Sequence, residues 1–138
     1  MSHLLDTNVV SELIKRSPDP HAVAWLRGAR RRSLYLSVIT VGEIRKGIER
    51  TRPHDATRAG RLEHWLEALV RSYGERVLPV DQPVAEEWGR MLAADPAHIA
   101  DTLLAATAAV HGLTLVTRNV RDFDGRGIRL LNPFGPPS

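Results

Sequence analysis

Short apolar runs alternate along the chain with longer stretches in which apolar residues return every three or four positions. Leu4 and Leu5 read as the end of a buried strand, and Val9, Val10 and Leu13 then fall at helical spacing. Two prolines between Arg16 and Pro20 break that helix. A second helix over Val23, Trp25, Leu26 and Ala29 is predicted to run up to Arg30-Arg31-Arg32, whose cations suit a helix C-terminus. Residues 33–39 have the β-branched and aromatic character of a buried strand. They lead into a helix that opens at Thr40, passes Ile44 and Ile48, and is broken at 52–55. The stretch 56–73 sets Leu62, Trp65, Leu66, Leu69 and Val70 on one helical face, so these two helices form an arm or hairpin for core packing or for a partner. Gly74 reads as a helix stop, and Val77 to Val80 as a short strand whose Pro79 suits an edge.

From Pro83, the residues Val84, Trp88, Met91 and Leu92 mark another helix. Asp95-Pro96 then reads as the N-cap and first residue of a helix that ends at His111 before Gly112, with Ile99, Leu103, Ala106 and Val110 as its buried stripe. Residues 113–117 form a strand, 118–123 a polar loop, and 128–131 a last short strand. The predicted fold is α/β: a mostly parallel central sheet of four to five strands, with helices on both faces and right-handed crossovers.

The chain has 138 residues, 43% of them hydrophobic, which suits one domain with a real core. It has no cysteine, so disulfides, thiolate nucleophiles and Cys-ligated zinc are excluded. No apolar run approaches the length of a membrane helix, and Asp6 interrupts the N-terminus too early for a signal-peptide core. A soluble, cytoplasmic protein with no membrane partner is expected. The net charge of +3 favours an anionic partner, and only two of the nineteen basic residues are lysine. Planar arginine forks suit phosphate, although the same excess also fits a codon bias.

The candidate chemistry is acidic. Asp6 stands between the first strand and the first helix, either as a cap or as a ligand. Glu43 lies three residues after Thr40, which is also a capping-box spacing. Asp101 sits in an early helical turn, and Asn119 and Asp122 follow the strand at 113–117. A parallel sheet gathers such positions at the carboxyl ends of its strands. Carboxylates brought together repel unless a cation neutralises them, and oxygen donors alone favour Mg²⁺ or Mn²⁺. Attack of an activated water on a phosphodiester is the reaction such a site serves. A phosphoacceptor receiver domain fits poorly, since it needs a lysine after its last strand and the lysines here are Lys15 and Lys46.

Four blocks carry a resemblance. They are Leu5-Asp6-Thr7-Asn8-Val9-Val10-Ser11-Glu12, the run from Ser37 through Glu43 to Ile48, the run from Asp101 to Ala108, and Leu115-Val116-Thr117-Arg118-Asn119 with Asp122-Phe123. Together, in order and across nearly the whole chain, they resemble the PIN domain, and more narrowly the VapC-type ribonuclease toxins of prokaryotic toxin–antitoxin pairs. The resemblance implies a single PIN-like nuclease domain over residues 1–132 with a tail at 133–138. It implies Mg²⁺-dependent cleavage of RNA, a loop of tRNA or rRNA being the expected target. Asp6, Asp101 and Glu43 are then metal-site residues, with Thr7 and Thr117 in support. Asn119 stands where the family often has Asp, and Asp122 is positioned to supply the missing carboxylate. Also implied are homodimerisation, a cognate VapB-type antitoxin inserted into the acidic groove, and operator DNA bound only through that antitoxin. The alternative is a PIN-like protein that binds RNA without cutting it.

Overall fold

A computed structural model describes residues 1–136. Among these residues lie five strands: β1 (His3–Leu5), β2 (Leu34–Ser37), β3 (Val77–Leu78), β4 (Thr114–Val116) and β5 (Leu130–Leu131). The α-helices are α1 (Thr7–Val10), α2 (Pro20–Gly28), α3 (Val38–Thr51), α4 (Ala56–Tyr73), α5 (Gln82–Ala94), α6 (Ile99–His111) and α7 (Val120–Phe123). Every pairing in the sheet is parallel, in the order β3-β2-β1-β4-β5. β1 is therefore central, and its last residue pairs with Val116 of β4.

Strand side chains alternate between the two faces, so each strand feeds both cores. Leu5, Leu36 and Val116 point into a cluster closed by Leu26, Ile44, Ile48, Leu66 and Leu69, which draws on α2, α3 and α4. Leu4 and Leu115 point the other way, onto Leu104, Ala105, Ala108 and Phe123 of α6 and α7. Burying a leucine such as Leu36 or Leu115 fully contributes roughly 2–3 kcal/mol relative to exposure. The expected hairpin is present as α3 and α4, and it packs on the first of these cores. No helix among the described residues is long and apolar enough to cross a membrane.

Several local expectations are corrected. α2 ends at Gly28, before the arginine cluster, and Arg31–Ser33 forms a 3-10 turn leading into β2. Strand β2 stops at Ser37, because the Ser37 hydroxyl accepts from Ile39 N–H at 3.0 Å and opens α3 three residues before Thr40. Val38 and Ile39 are thus helical despite their β-branched side chains, since cap and packing outweigh propensity. Asp95 closes α5 rather than opening α6, and its carboxylate bonds instead to His98 at 3.0 Å and Arg126 at 2.7 Å. The buried face of α6 is Thr102, Leu104, Ala105, Ala106, Thr107 and Ala108, while Ile99 and Val110 are exposed. The small residues face inward, where α6 packs chiefly against α5 as well as against the sheet. Gly112 ends that helix with φ 64°, where a side chain would be strained. Residues 120–123 of the expected loop form α7, and its Phe123 is buried. Pro137 and Ser138 lie outside the described residues, but Phe134, in the same tail, packs against the first core.

Candidate active site

Asp6 is where the sheet meets its first helix. Its N–H donates to the Val116 carbonyl at 2.9 Å, and its own carbonyl accepts from Val9 N–H at 3.0 Å, so one peptide ends β1 and begins α1. The side chain does cap: Oδ1 accepts from Thr7 N–H at 2.6 Å. Oδ2 accepts from the Thr117 hydroxyl at 2.8 Å and from Asn8 Nδ2 at 3.4 Å. Cap and site residue are thus the same group, buried to 7% exposure.

Glu43 reaches the same edge from the second turn of α3. Its Oε1 accepts from the Thr7 hydroxyl at 2.7 Å, and the buried Thr40 hydroxyl lies 3.3 Å from that of Thr7. The capping-box expectation for Thr40 and Glu43 is therefore corrected, because the helix begins earlier and Glu43 is free to face β1. Thr7 and Thr117 stand where they were expected, each donating to a site carboxylate. Asn8 and Thr40 were missed. Asn8 accepts from Arg118 N–H at 3.2 Å while donating to Asp6, which ties α1 to the end of β4. Its place two residues after Asp6 was the available signal, whereas nothing local marks Thr40.

Asp101 lies half-buried in the first turn of α6, and Asp122 lies exposed on α7. Burial pushes the Asp101 carboxyl above its usual range and Asp122 pushes it further, against the pull of His98 and Arg126 and with a last push from Glu43. Burial also raises Asp6. The Thr117 and Thr7 donors oppose this, and the charges of Glu43 and Asp101 add to it. Asp6 thus feels the charges of Glu43 and Asp101, and Asp101 those of Asp122 and Glu43. Asn119 is exposed there, and its N–H donates to the Thr117 hydroxyl at 3.0 Å.

Among the described residues no three acidic or imidazole side chains converge tightly enough to chelate an ion by themselves. The donor set is hard oxygen, of the kind Mg²⁺ takes. Burial raises both Asp6 and Asp101, and the smaller push that neighbouring carboxylates add to each is of the kind a cation relieves. The residues present therefore fit such an ion.

Comparison with known proteins gives the same picture from outside. Residues 3–126 match the family model described as PIN domain. The chain is 34% identical over 137 residues to the toxin FitB of Neisseria gonorrhoeae, covering 95% of this chain and 97% of that protein. It is 34% identical over 143 residues to the VapC ribonuclease Y4jK of Sinorhizobium fredii, covering 96% and 98%. The crystal structure of DNA-bound VapBC from Salmonella typhimurium superposes with a TM-score of 0.77 at 27% identity, covering 96% of this chain and 98% of that one.

Proposed function

The chain belongs to the PIN-domain family, and from that premise we propose that it is a metal-dependent endoribonuclease, the toxic half of a toxin–antitoxin pair. The observation that carries the reading is the hydrogen-bonded network of Asp6, Thr7, Thr117 and Glu43 at the carboxyl edge of the sheet, within reach of the charge of Asp101. Relatives named as a VapC ribonuclease and as a toxin support it.

Asp6 and Asp101 would hold the ion. Glu43, steadied by Thr7, orients the attacking water, and Thr117 keeps Asp6 turned into the pocket. A bound Mg²⁺ or Mn²⁺ would supply activation of that water and neutralise charge on the departing oxygen. Asp122 supplies the charge that Asn119 lacks. Single-stranded or looped RNA is the substrate class, because its bases and backbone are accessible, and a loop of tRNA or rRNA is the target we favour.

A homodimer inhibited by a VapB-type antitoxin, with operator DNA reached only through that antitoxin, is the matching assembly. The DNA-bound VapBC likeness supports it. Co-expression with the product of an adjacent short reading frame is expected to suppress cleavage.

The test is cleavage of structured RNA by the purified protein with Mg²⁺ or Mn²⁺. Wild type should cut, and Asp6→Ala and Asp101→Ala should not. An inert wild type would favour RNA binding without cleavage, and equally active variants would remove these acids from the site.

A further inference from the structure

Arg118 is the residue that follows Thr117, the donor to Asp6. Its own N–H donates to Asn8 Oδ1 at 3.2 Å, so its backbone is tied into the network that fixes the acidic pocket. Its guanidinium lies over the Phe134 ring, with the central carbon 3.9 Å from the ring centroid. Among the described residues that guanidinium has no hydrogen-bond or ion-pair partner. The buried carboxylate that senses it, Glu12, is already bonded to Lys15 at 2.5 Å and to Asp19 N–H at 2.8 Å. Arg118 therefore has a seat but no acid to satisfy it.

The seat is itself held in place. Phe134 packs against the first core, and its N–H donates to Asn132 Oδ1 at 2.9 Å. Gly135 N–H reaches Asp19 Oδ1 at 3.5 Å. A Cβ at Gly135 would come within 2.2 Å of His21 Nδ1, so any larger residue would have to displace the His21 ring. The result is an open cavity of about 760 Å³ bordered by Asp19, His21, Arg118, Asn132, Phe134 and Pro136.

A guanidinium resting on an aromatic ring keeps its in-plane N–H groups for phosphate and its second face for a base. We propose that Arg118, seated on Phe134, is a subsite for the RNA nucleotide flanking the cleaved bond, taking its phosphate through the guanidinium and its base by stacking. This rests on the ribonuclease reading above. An acidic segment of a protein partner is the rival occupant, and RNA is favoured because Arg118 follows Thr117 in the chain and its N–H bonds to Asn8, the two residues whose side chains donate to Asp6.

The test reads binding apart from cleavage. Fluorescence anisotropy is recorded for a labelled 20-nucleotide mixed-sequence single-stranded RNA on the full chain in EDTA, across a salt series. Arg118→Ala should bind about tenfold more weakly, and its log–log salt slope should shrink by about 0.7, the value of one phosphate contact on a single strand. Arg118→Lys should keep the slope and lose part of the affinity, and Phe134→Leu should do the same, with melting curves confirming that each variant is folded. Equal affinity and slope for Arg118→Ala and wild type would overturn the subsite, as would a wild type that binds no RNA. An Arg118→Ala that loses only antitoxin binding would also overturn it and point to the acidic peptide. If wild type binds RNA through Arg118 yet does not cut with Mg²⁺, the subsite stands and the cleavage reading fails.

Discussion

Asp6 and Asp101 belong to the same acidic edge, the charge of Asp101 reaching Asp6, and their surroundings differ. Both oxygens of Asp6 are taken by donors, two on α1 and one just past β4, and the residue is 7% exposed. Asp101 makes no side-chain hydrogen bond among the described residues; its environment is Asp122, His98 and Arg126, groups on or beside the short α7 and the turn before α6. The Asp6 side is braced by its donors, whereas the Asp101 side is adjustable, set only by burial and neighbouring charges. On the proposed reading the first wall would set where an ion sits and the second how tightly it is held.

Thr117→Val would break this contrast most sharply. It removes the hydroxyl donor to Asp6 and the acceptor for Asn119 N–H, leaving the buried carboxylate with the Thr7 N–H and Asn8. Activity should fall about 10–100-fold, as when a support of a metal ligand is lost. Steady-state cleavage rates against Mg²⁺ concentration would measure it, and an unchanged rate would mean that Asp6 needs no brace from β4.

The next effect lies behind the braced wall, at Glu12. It is 2% exposed and bonds Lys15 and Asp19 N–H. Burial pushes its carboxyl up, but the Lys15 and Asp19 donors and the Lys15 and Arg118 charges win and hold it below its ordinary value of 4.5. A lowered acid adds stability above the unfolded value and loses it as the pH falls through the folded one. Glu12→Gln should therefore cost about 1.5 kcal/mol at pH 7, roughly 5 °C in Tm. The gap should close as the pH drops below 4.5, and a constant gap across pH would remove charge from the explanation.

On the adjustable wall the expected changes are smallest. Asp122→Ala should weaken Mg²⁺ dependence by roughly five-fold, about one kcal/mol. Asn119→Asp should leave activity intact or raise it by adding a charge at the same edge. Asp122→Ala with wild-type metal dependence would take that residue out of the site.

Much of this was legible in local pattern. The stretch 56–73 emerged as α4 because its apolar period and the Gly74 stop agree with one another. Asp6 was marked by an apolar pair before it and helical spacing after it. The start of α3 was not legible, because Ser37 competes with Thr40 as a cap and β-branched residues follow either choice. The buried face of α6 was misjudged for a related reason. Its larger apolar residues suggested one stripe, whereas packing against α5 and the sheet buries alanine and threonine. Asp95-Pro96 has the pattern of a cap, yet Arg126 and His98 claim the carboxylate instead.

The sequence by itself determined the alternation of strands and helices, the junction at Asp6 and the acids expected to meet there, because period, caps and breakers act over a few residues. The tertiary structure decided that Thr7 serves Glu43, that Thr117 and Asn8 hold Asp6, and that Arg118 rests on Phe134. Those contacts depend on the parallel pairing of β1 with β4 and on the path of the tail across α2, and no local propensity encodes a register between segments more than a hundred residues apart.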